Sequence, residues 1–448
     1  FGGINAHLLV EQWLPSAAPA NNPAIELRQP AAEPIAVVGL AARFGPWQST
    51  AALRQRLLGG DPEIEPTLPK NWWGVEQSAW FKNQGFAAAD FRGFYLDQAS
   101  VPPGQFRIPP KELEEMLPQQ QLMLQVAAEA LAESRSSNED RLTTGVFVGL
   151  GLDLNTTNFT LRWSLPAKAR DWAKQQNLQL SAAELDNWTD SLREAAGPPL
   201  TANRTMGALG SVVASRIARE FRIGGPSFTV SSEESSALRA LEVAVRALQS
   251  GALDQAIVGA VDLAGDVRAA LGQFASHGGA AVLGEGAAAF VLKRLSDAER
   301  DGDRIQAVIA GIGSASGAGC APNLPSASAY ALAQQRAWGE AGLTAAQLGY
   351  FESHGSGIAA EDALEAEALK ELFPLQAAPL CALGCSKTEL GHCGAASGAA
   401  ALTRSILALQ QELLPPLRGS SASLAALDDR LVLPASPRYW LRNRAEGP

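Results

Sequence analysis

Two periods of apolar residues share the 448-residue chain. Short unbroken apolar runs at Ile35 to Leu40, Gly145 to Leu150, Ala256 to Asp262, Ile305 to Ile312 and Gly349 to Glu352 read as buried strands. Between them, apolar positions recur at helical spacing. One such helix starts at Pro118, a residue suited to a first helical position, and continues its face through Val126 and Leu131. A second runs from the 234–236 corner to Leu248, with Leu238, Leu241, Val245 and Leu248 on one face, Arg239, Glu242, Arg246 and Gln249 elsewhere, and Gly251 available to cap its end. Ala327 to Ala341 is a third. From Thr160 to Pro199 the pattern predicts two more helices. The latter opens on a capping box, Ser181 and Glu184, and ends near Gly197. Strands alternating with helices through both halves predict an α/β fold.

The sharpest local feature is the stretch from Gly224 to Ser236. A Gly-Pro entry, the strand-favouring Phe228, Thr229 and Val230, a polar corner and then helical spacing describe a strand turning abruptly into a helix. Glu233 and Glu234 stand at that corner, where the helix dipole favours an acid by about 0.3–1 kcal/mol. The length predicts two domains or one large duplicated fold. A net charge of -10 argues against a general nucleic-acid or anionic-membrane binder and favours proteins or neutral acyl chains as partners. The cysteines at 320, 381, 385 and 393 lack the paired spacing of a zinc site, so no metal is expected and a reducing cytoplasm fits. No run of about 20 apolar residues and no basic-then-apolar leader is present, so neither a membrane span nor a signal peptide is expected. The first residue, Phe1, is not methionine, which reads as excision from something longer.

The stretch Gly225-Pro226-Ser227-Phe228-Thr229-Val230-Ser231-Ser232-Glu233-Glu234-Ser235-Ser236 resembles the β-ketoacyl synthase signature GPS-x-TV-DTACSS. The resemblance puts Glu234 at the position of the nucleophilic cysteine. Other segments resemble the same family: Pro34 to Gly39 its PIA-x-VG opening, Met116 to Leu124 its MDPQQR-LLL helix with Leu117 and Gln121 replacing the acid and the arginine, and Gly284 to Leu292 its GEGAG-x-x-VL. The family's FD-x-x-x-DG loop looks reduced here to Phe274 to Gly279. Glu352-Ser353-His354-Gly355-Ser356-Gly357 resembles EAHGTGT, and Lys387 to Ala396 resembles KTNIGHTEAA. His354 and His392 thus stand at both family histidines, which hold a thioester carbonyl and assist decarboxylation of a malonyl unit. Ser356 and Ile358 fall at positions touching the phosphopantetheine arm, Ile358 replacing a threonine. Gly394 replaces the glutamate that pairs with the motif lysine, which leaves Lys387 in need of another anion, Glu234 being the candidate. Cys385 or Cys393 could serve as a nucleophile in principle, yet neither occupies the helix start that activates the family thiol.

The resemblance implies a duplicated thiolase-like fold of five layers, α-β-α-β-α. Phe1 to Glu11 resembles the terminal FGGTNAHV-x-LE strand of a ketosynthase. Residues 1–14 are therefore expected to be the tail of a preceding ketosynthase domain, 15–33 a linker, 34–266 the first half with an insertion at about 160–200, and 267–448 the second half. The final strand of that half is expected to be missing, with Gly3 to Val10 docking in its place or staying disordered. This layout resembles the chain-length-factor domain of polyunsaturated fatty acid synthases and related polyketide synthases. It implies a non-condensing partner that pairs through Phe228 to Val230 with the upstream ketosynthase domain and shapes its acyl tunnel. No cofactor is expected beyond the phosphopantetheine of an acyl carrier protein. Two alternatives stay open, a malonyl-carrier decarboxylase using His354 and His392 and a purely structural scaffold.

Overall fold

The computed structural model describes residues 33–441, apart from 60–63, 70–71, 73, 136–139, 152–153, 155–157, 278–280, 318–325, 376–380 and 420. The expected tail at 1–14, the linker up to residue 32 and Cys320 lie outside the described residues. The strands are β1 (Ile35–Phe44), β2 (Gly93–Phe94), β3 (Thr144–Leu150), β4 (Ser227–Val230), β5 (Gln255–Asp262), β6 (Leu283–Gly284), β7 (Gly286–Arg294), β8 (Ala307–Ile309), β9 (Tyr350–Glu352), β10 (Ala382–Gly384), β11 (Leu413–Leu414) and β12 (Arg438–Tyr439).

Six of them form one sheet in the order β4-β3-β5-β7-β1-β8. Pairing is parallel from β4 through β3 to β5 and antiparallel from β5 to β8, with a register shift in β1 between Val37 and Gly39. Both faces of the sheet are covered, which is why its strands read as unbroken apolar runs instead of alternating ones. One face packs Val38, Val146, Val148, Ile257 and Val291 against the Pro118–Glu133 and Val213–Phe221 helices. The other packs Val37, Phe147, Val258, Phe290 and Leu292 against the Ser236–Gln249 and Ser397–Gln411 helices.

Those two helices form the middle layer. On their far side Arg404, from the Ser397–Gln411 helix, donates to the carboxylate of Glu352 and the hydroxyl of Tyr350 on β9. β9 and β10 pair in parallel, and the Ala359–Leu372 helix closes over them through Leu369, Phe373 and Leu383. Helix, sheet, helix, sheet and helix thus succeed one another in five layers.

Three sequence expectations need correction. The Ser236–Gln249 helix buries Ala237, Ala240, Leu241, Ala244, Val245 and Leu248, while Leu238 stays half exposed, so its buried stripe is rotated toward the small residues. Close approach to β3 selects alanine there over leucine. The run Ile305 to Ile312 forms a strand only at β8, because its pairing with β1 spans only Ile35 to Val37. Phe274 belongs to a helix, Val267–His277, instead of a loop, and its ring packs on Phe86 and Phe91.

A glycine permits a close approach of strand to helix at the corner. A Cβ on Gly149 of β3 would lie 2.7 Å from the amide nitrogen of Ala237 and the carbonyl carbon of Ser236. Gly149→Ala is expected to lower stability by about 1–3 kcal/mol in chemical denaturation, as overpacking does. Gly339→Ala, at a helical position with open space around it, is expected to be neutral or to stabilise by up to about 1 kcal/mol.

Candidate active site

The strand β4 ends at Val230, and the chain reverses within five residues into the Ser236–Gln249 helix. The corner is strained: Glu233 has a φ of 48°, a left-handed conformation unusual for a residue with a side chain. Ser236, fully buried, holds it closed. Its hydroxyl donates to the carbonyl of Glu233 at 2.6 Å and accepts from the amide of Ser232 at 2.8 Å. This fold of the backbone carries the Glu234 side chain out over the ends of two loops from the second half.

The first loop follows β9. His354 sits in it with Gly355 and Gly357 at φ values of 49° and 80°, and Glu365, buried on the next helix, clamps the loop by accepting from the amides of His354 (2.7 Å) and Gly355 (2.9 Å). The second loop follows the short Lys387–Leu390 helix and carries His392, which is buried. The amide of Gly394 donates to Nδ1 of His392 at 3.3 Å, which leaves the proton on Nε2. The ammonium of Lys387 lies 3.0 Å from Nδ1 and 3.5 Å from Nε2 of His354 and donates to that residue's carbonyl at 2.9 Å.

Both Nε2 atoms face Glu234. Nε2 of His392 lies 2.8 Å from Oε1 of Glu234, Nε2 of His354 lies 3.7 Å from Oε2, and Nζ of Lys387 lies 3.6 Å from the same oxygen. One carboxylate thus meets three basic groups. The structure therefore brings Glu234, His354, His392 and Lys387 into one cluster. Ser356 lies beside it, its hydroxyl donating to Asp362 and accepting from the amide of Ile358, which begins the Ala359–Leu372 helix. A cleft of about 360 Å³ adjoins the cluster, lined among others by Lys387, His392, Ser356, Arg56 and Arg418.

Several members of the site are absent from the sequence motifs. Glu361, in the first turn of that helix, places Oε2 3.8 Å from Nε2 of His354. Interaction with His354 holds its carboxyl below the ordinary glutamate value, with help from Ser356 and against burial. Tyr330 lies against His354 with ring centroids 6.5 Å apart, and its phenol is pushed up by burial first and then by Glu365, Glu361 and Glu234. Asp262, at the end of β5, accepts from the amide of Ala395 at 2.8 Å, and its carboxylate occupies the space that a side chain at Gly394 would need. An acid in the first turn after His354 was visible in the sequence. Nothing local marks Asp262, which is 133 residues from its partner.

The described cysteines, Cys381, Cys385 and Cys393, are buried. Burial pushes the Cys381 thiol up to about 12 and raises those of Cys385 and Cys393 as well. Cys393 caps a one-turn 3-10 helix, Gly394–Ala396, but its Sγ is turned to the carbonyls of Leu390 and Gly391, and burial keeps all three thiols protonated, so none has the setting of an activated thiolate. Among the described residues no group of histidine, cysteine and acid side chains is placed to hold a metal ion, and no helix is long and apolar enough to cross a membrane.

Two outcomes follow from this geometry. Alkylation of the folded protein with iodoacetamide at pH 7.5 is expected to leave Cys381, Cys385 and Cys393 unmodified over times that label them fully in denaturant. The second concerns Glu361. A depressed carboxyl pKa contributes stability that is present above the ordinary value of 4.5 and is lost as pH falls through the depressed value. Glu361→Gln is thus expected to cost about 0.5–1 kcal/mol at pH 7. In denaturation curves the gap to the unaltered protein should close on acidification.

Comparison with known proteins agrees with this architecture. The sequence matches the beta-ketoacyl synthase N-terminal domain over residues 32–298 and the C-terminal domain over residues 306–420. It is 31% identical over 430 residues to a mycocerosic acid synthase-like polyketide synthase of Mycobacterium tuberculosis, covering 91% of this chain and 19% of that protein. It is 31% identical over 424 residues to polyketide synthase ThaG of Burkholderia thailandensis, covering 89% of this chain and 7% of that protein. The chain thus spans about a fifth or less of these relatives. Among solved structures it resembles the PfaC ketosynthase-chain length factor, with a TM-score of 0.74 at 27% identity over 85% of this chain and 40% of that one. It also resembles an oxazolomycin ketosynthase domain from Streptomyces albus, with a TM-score of 0.73 at 25% identity over 92% of this chain and 69% of that one. With the strand-helix corner, the two loop histidines and both halves of the fold matched, the chain belongs to the β-ketoacyl synthase family as a ketosynthase-type domain with the thiolase-like fold.

Proposed function

We propose that this domain is a non-condensing ketosynthase partner of the chain-length-factor kind, acting within a fatty-acid or polyketide synthase. One observation carries the reading: the corner where a ketosynthase nucleophile would stand holds the carboxylate of Glu234, 2.8 Å from Nε2 of His392. A condensing enzyme needs a thiolate there to accept and store an acyl group as a thioester. A carboxylate attacking the same thioester would give a mixed anhydride, which water destroys, so nothing is stored.

The same carboxylate also occupies the donors. The Nε2 atoms of His354 and His392, which would hold a thioester carbonyl in an active member, lie 3.7 and 2.8 Å from the carboxylate oxygens of Glu234, and Lys387 lies 3.6 Å from its second oxygen. A cluster of opposite charges in contact is a stable filling for a site that receives no acyl chain. The domain then serves its partner. In the sheet, β4 has β3 on one side and stands at an edge, with Phe228 partly exposed. A sheet edge of this kind invites pairing with another chain, and the upstream ketosynthase domain is the proposed occupant, its acyl tunnel shaped by the joint surface. Acyl chains reach that tunnel on the phosphopantetheine of a carrier protein.

Decarboxylation of malonyl carrier is the competing chemistry, since it requires the two histidines and no thiol. Glu234 disfavours it by repelling the malonyl carboxylate and engaging both imidazoles.

Intact-protein mass spectrometry after incubation with acylated carrier is expected to show no acyl adduct on this domain, and Glu234→Cys to acquire only a slow, partial one because Ile358 and Gly394 remain. A stable adduct on the unaltered domain would overturn the proposal. Release of labelled carbon dioxide from malonyl carrier should stay at background with or without His354→Ala and His392→Ala. Release that both substitutions abolish would instead establish the decarboxylase.

A further inference from the structure

The second sheet is underfilled. Every residue of β3 in the first sheet is buried, whereas Tyr350, Phe351 and Glu352 of β9 are each half-buried. Among the described residues β9 pairs with β10 and with no other strand. That pairing engages odd positions, since the carbonyl of Gly349 accepts from Ala382 and the amide of Ser353 donates to Gly384. Backbone groups alternate along a strand, so those of Tyr350 and Glu352 point away from β10.

A second bare edge lies in the same layer. Beyond β8 the chain passes under the Ala327–Ala341 helix so closely that a Cβ on Gly311 or Gly313 would strike the carbonyl of Ala337 or Ala333. Its even positions are tied to flanking side chains: the amide of Ile312 donates to Glu340 at 3.2 Å, and the carbonyls of Ile312 and Ser314 accept from Arg246 and Arg336. Gly311 and Gly313 make no hydrogen bond among the described residues.

Between these edges runs a trough. Its floor is a stripe of the Ser397–Gln411 helix, Ala401, Ser405 and Leu409, with Leu409 exposed. The stripe falls between Arg404, which bonds β9, and Gln410, which bonds Gln306 just ahead of β8. The roof is the Ala327–Ala341 helix, in which Ala331 alone is buried. Gln334 stands there between Trp338, packed toward Phe351 and Phe373, and Ala337 over Gly311. Its Oε1 is buried without a hydrogen-bond partner among the described residues. A layer roofed and floored, yet open along two strand edges, has the form of a strand acceptor.

Of the two fates that the sequence leaves open for residues 3–10, docking and disorder, the structure favours the first: we infer that they enter this trough as a β-strand paired with the Gly311 and Gly313 edge. The alternation fits. Ile4, Ala6, Leu8 and Val10 form a wholly apolar face for the floor, and Asn5 and His7 on the other face bring donors to Gln334. The tether fits as well. Gln249 donates both to the carbonyl of Glu33 at 3.1 Å and to Glu340, the residue that holds Ile312, so the chain enters the described structure at the rim of the trough. Residues 11–32, at up to about 3.3 Å each, reach as far as about 70 Å. The inference does not depend on the function proposed above.

The test is hydrogen–deuterium exchange of the full 448-residue chain, read by mass spectrometry on peptides covering 3–10 and 307–314. Both are expected to be protected. Ala6→Pro with His7→Pro, which removes a donor from each edge of a strand, is expected to speed exchange of both peptides at least tenfold while leaving β3 and β5 unchanged. Deletion of residues 1–14 should do the same to 307–314, and a synthetic peptide of residues 1–12 should restore protection to the shortened chain. If the shortened chain does not fold, the proline variant decides. Ala18→Pro, outside the strand, is the control and should change nothing. Unprotected 3–10 in the unaltered chain, or exchange at 307–314 that the prolines do not alter, would overturn the inference. So would protection that survives the prolines and disappears on dilution, which would assign the edge to a second copy of the chain.

Discussion

The hydroxyl of Ser236 joins the two sides of the corner on which this molecule turns. It binds the carbonyl of Glu233 and the amide of Ser232, so that the backbone can leave β4 and enter a helix through a left-handed residue. Such a conformation costs of order 1–3 kcal/mol and persists only where its surroundings enforce it. Here the enforcement comes from both faces: Gly149 lets β3 approach the first turn of the helix, and the Ser397–Gln411 helix packs alongside. The direction of the Glu234 side chain is a consequence of these constraints, and with it the identity of everything it touches.

Charge is balanced around that side chain in a way no single motif would suggest. Glu234 and Glu361 face His354, while Lys387 and His392 face Glu234. Beneath the cluster lies a second, buried set. Arg404 pairs with Glu352, and Glu389, wholly enclosed, meets Arg56 and Arg418 at 3.2 and 3.4 Å. Burial raises the Glu389 carboxyl, and the arginines oppose that shift. Buried pairs of this sort contribute little net stability but penalise any arrangement that separates them, which fixes how the second half seats its loops.

The open edge at β4 and the hairpin at 158–196 are features of the periphery, and the chemistry sits where the layers meet. The hairpin lies outside both hydrophobic faces of the sheet and is free to differ in composition. That freedom allows an exposed tryptophan, Trp163, among charges of both signs there, where the same residues in the core would be destabilising.

Element order, the α/β class and most helix and strand positions were legible in the sequence, because a sheet covered on both faces demands continuous apolar runs and the helices between them demand a period near 3.6. The polar corner at 231–236 and the two histidine loops were legible for the same local reason: glycine, proline and serine punctuate the chain where it must turn. What the sequence alone could not settle involved distance. The burial of Ala237 and Ala240 in place of Leu238 depends on how closely β3 approaches the helix. The shortening of Ile305 to Ile312 depends on the three-residue register it shares with β1, and the helix at 267–277 on the aromatic cluster that receives Phe274. Glu361, Tyr330 and Asp262 join the site only because separate segments pack together, and a carboxylate has no sequence signature for the imidazole or amide it will meet across the fold. The sequence by itself determined which residues stand at the corner and in the loops. Tertiary packing decided which of them touch, since their separations were set by the layers between them.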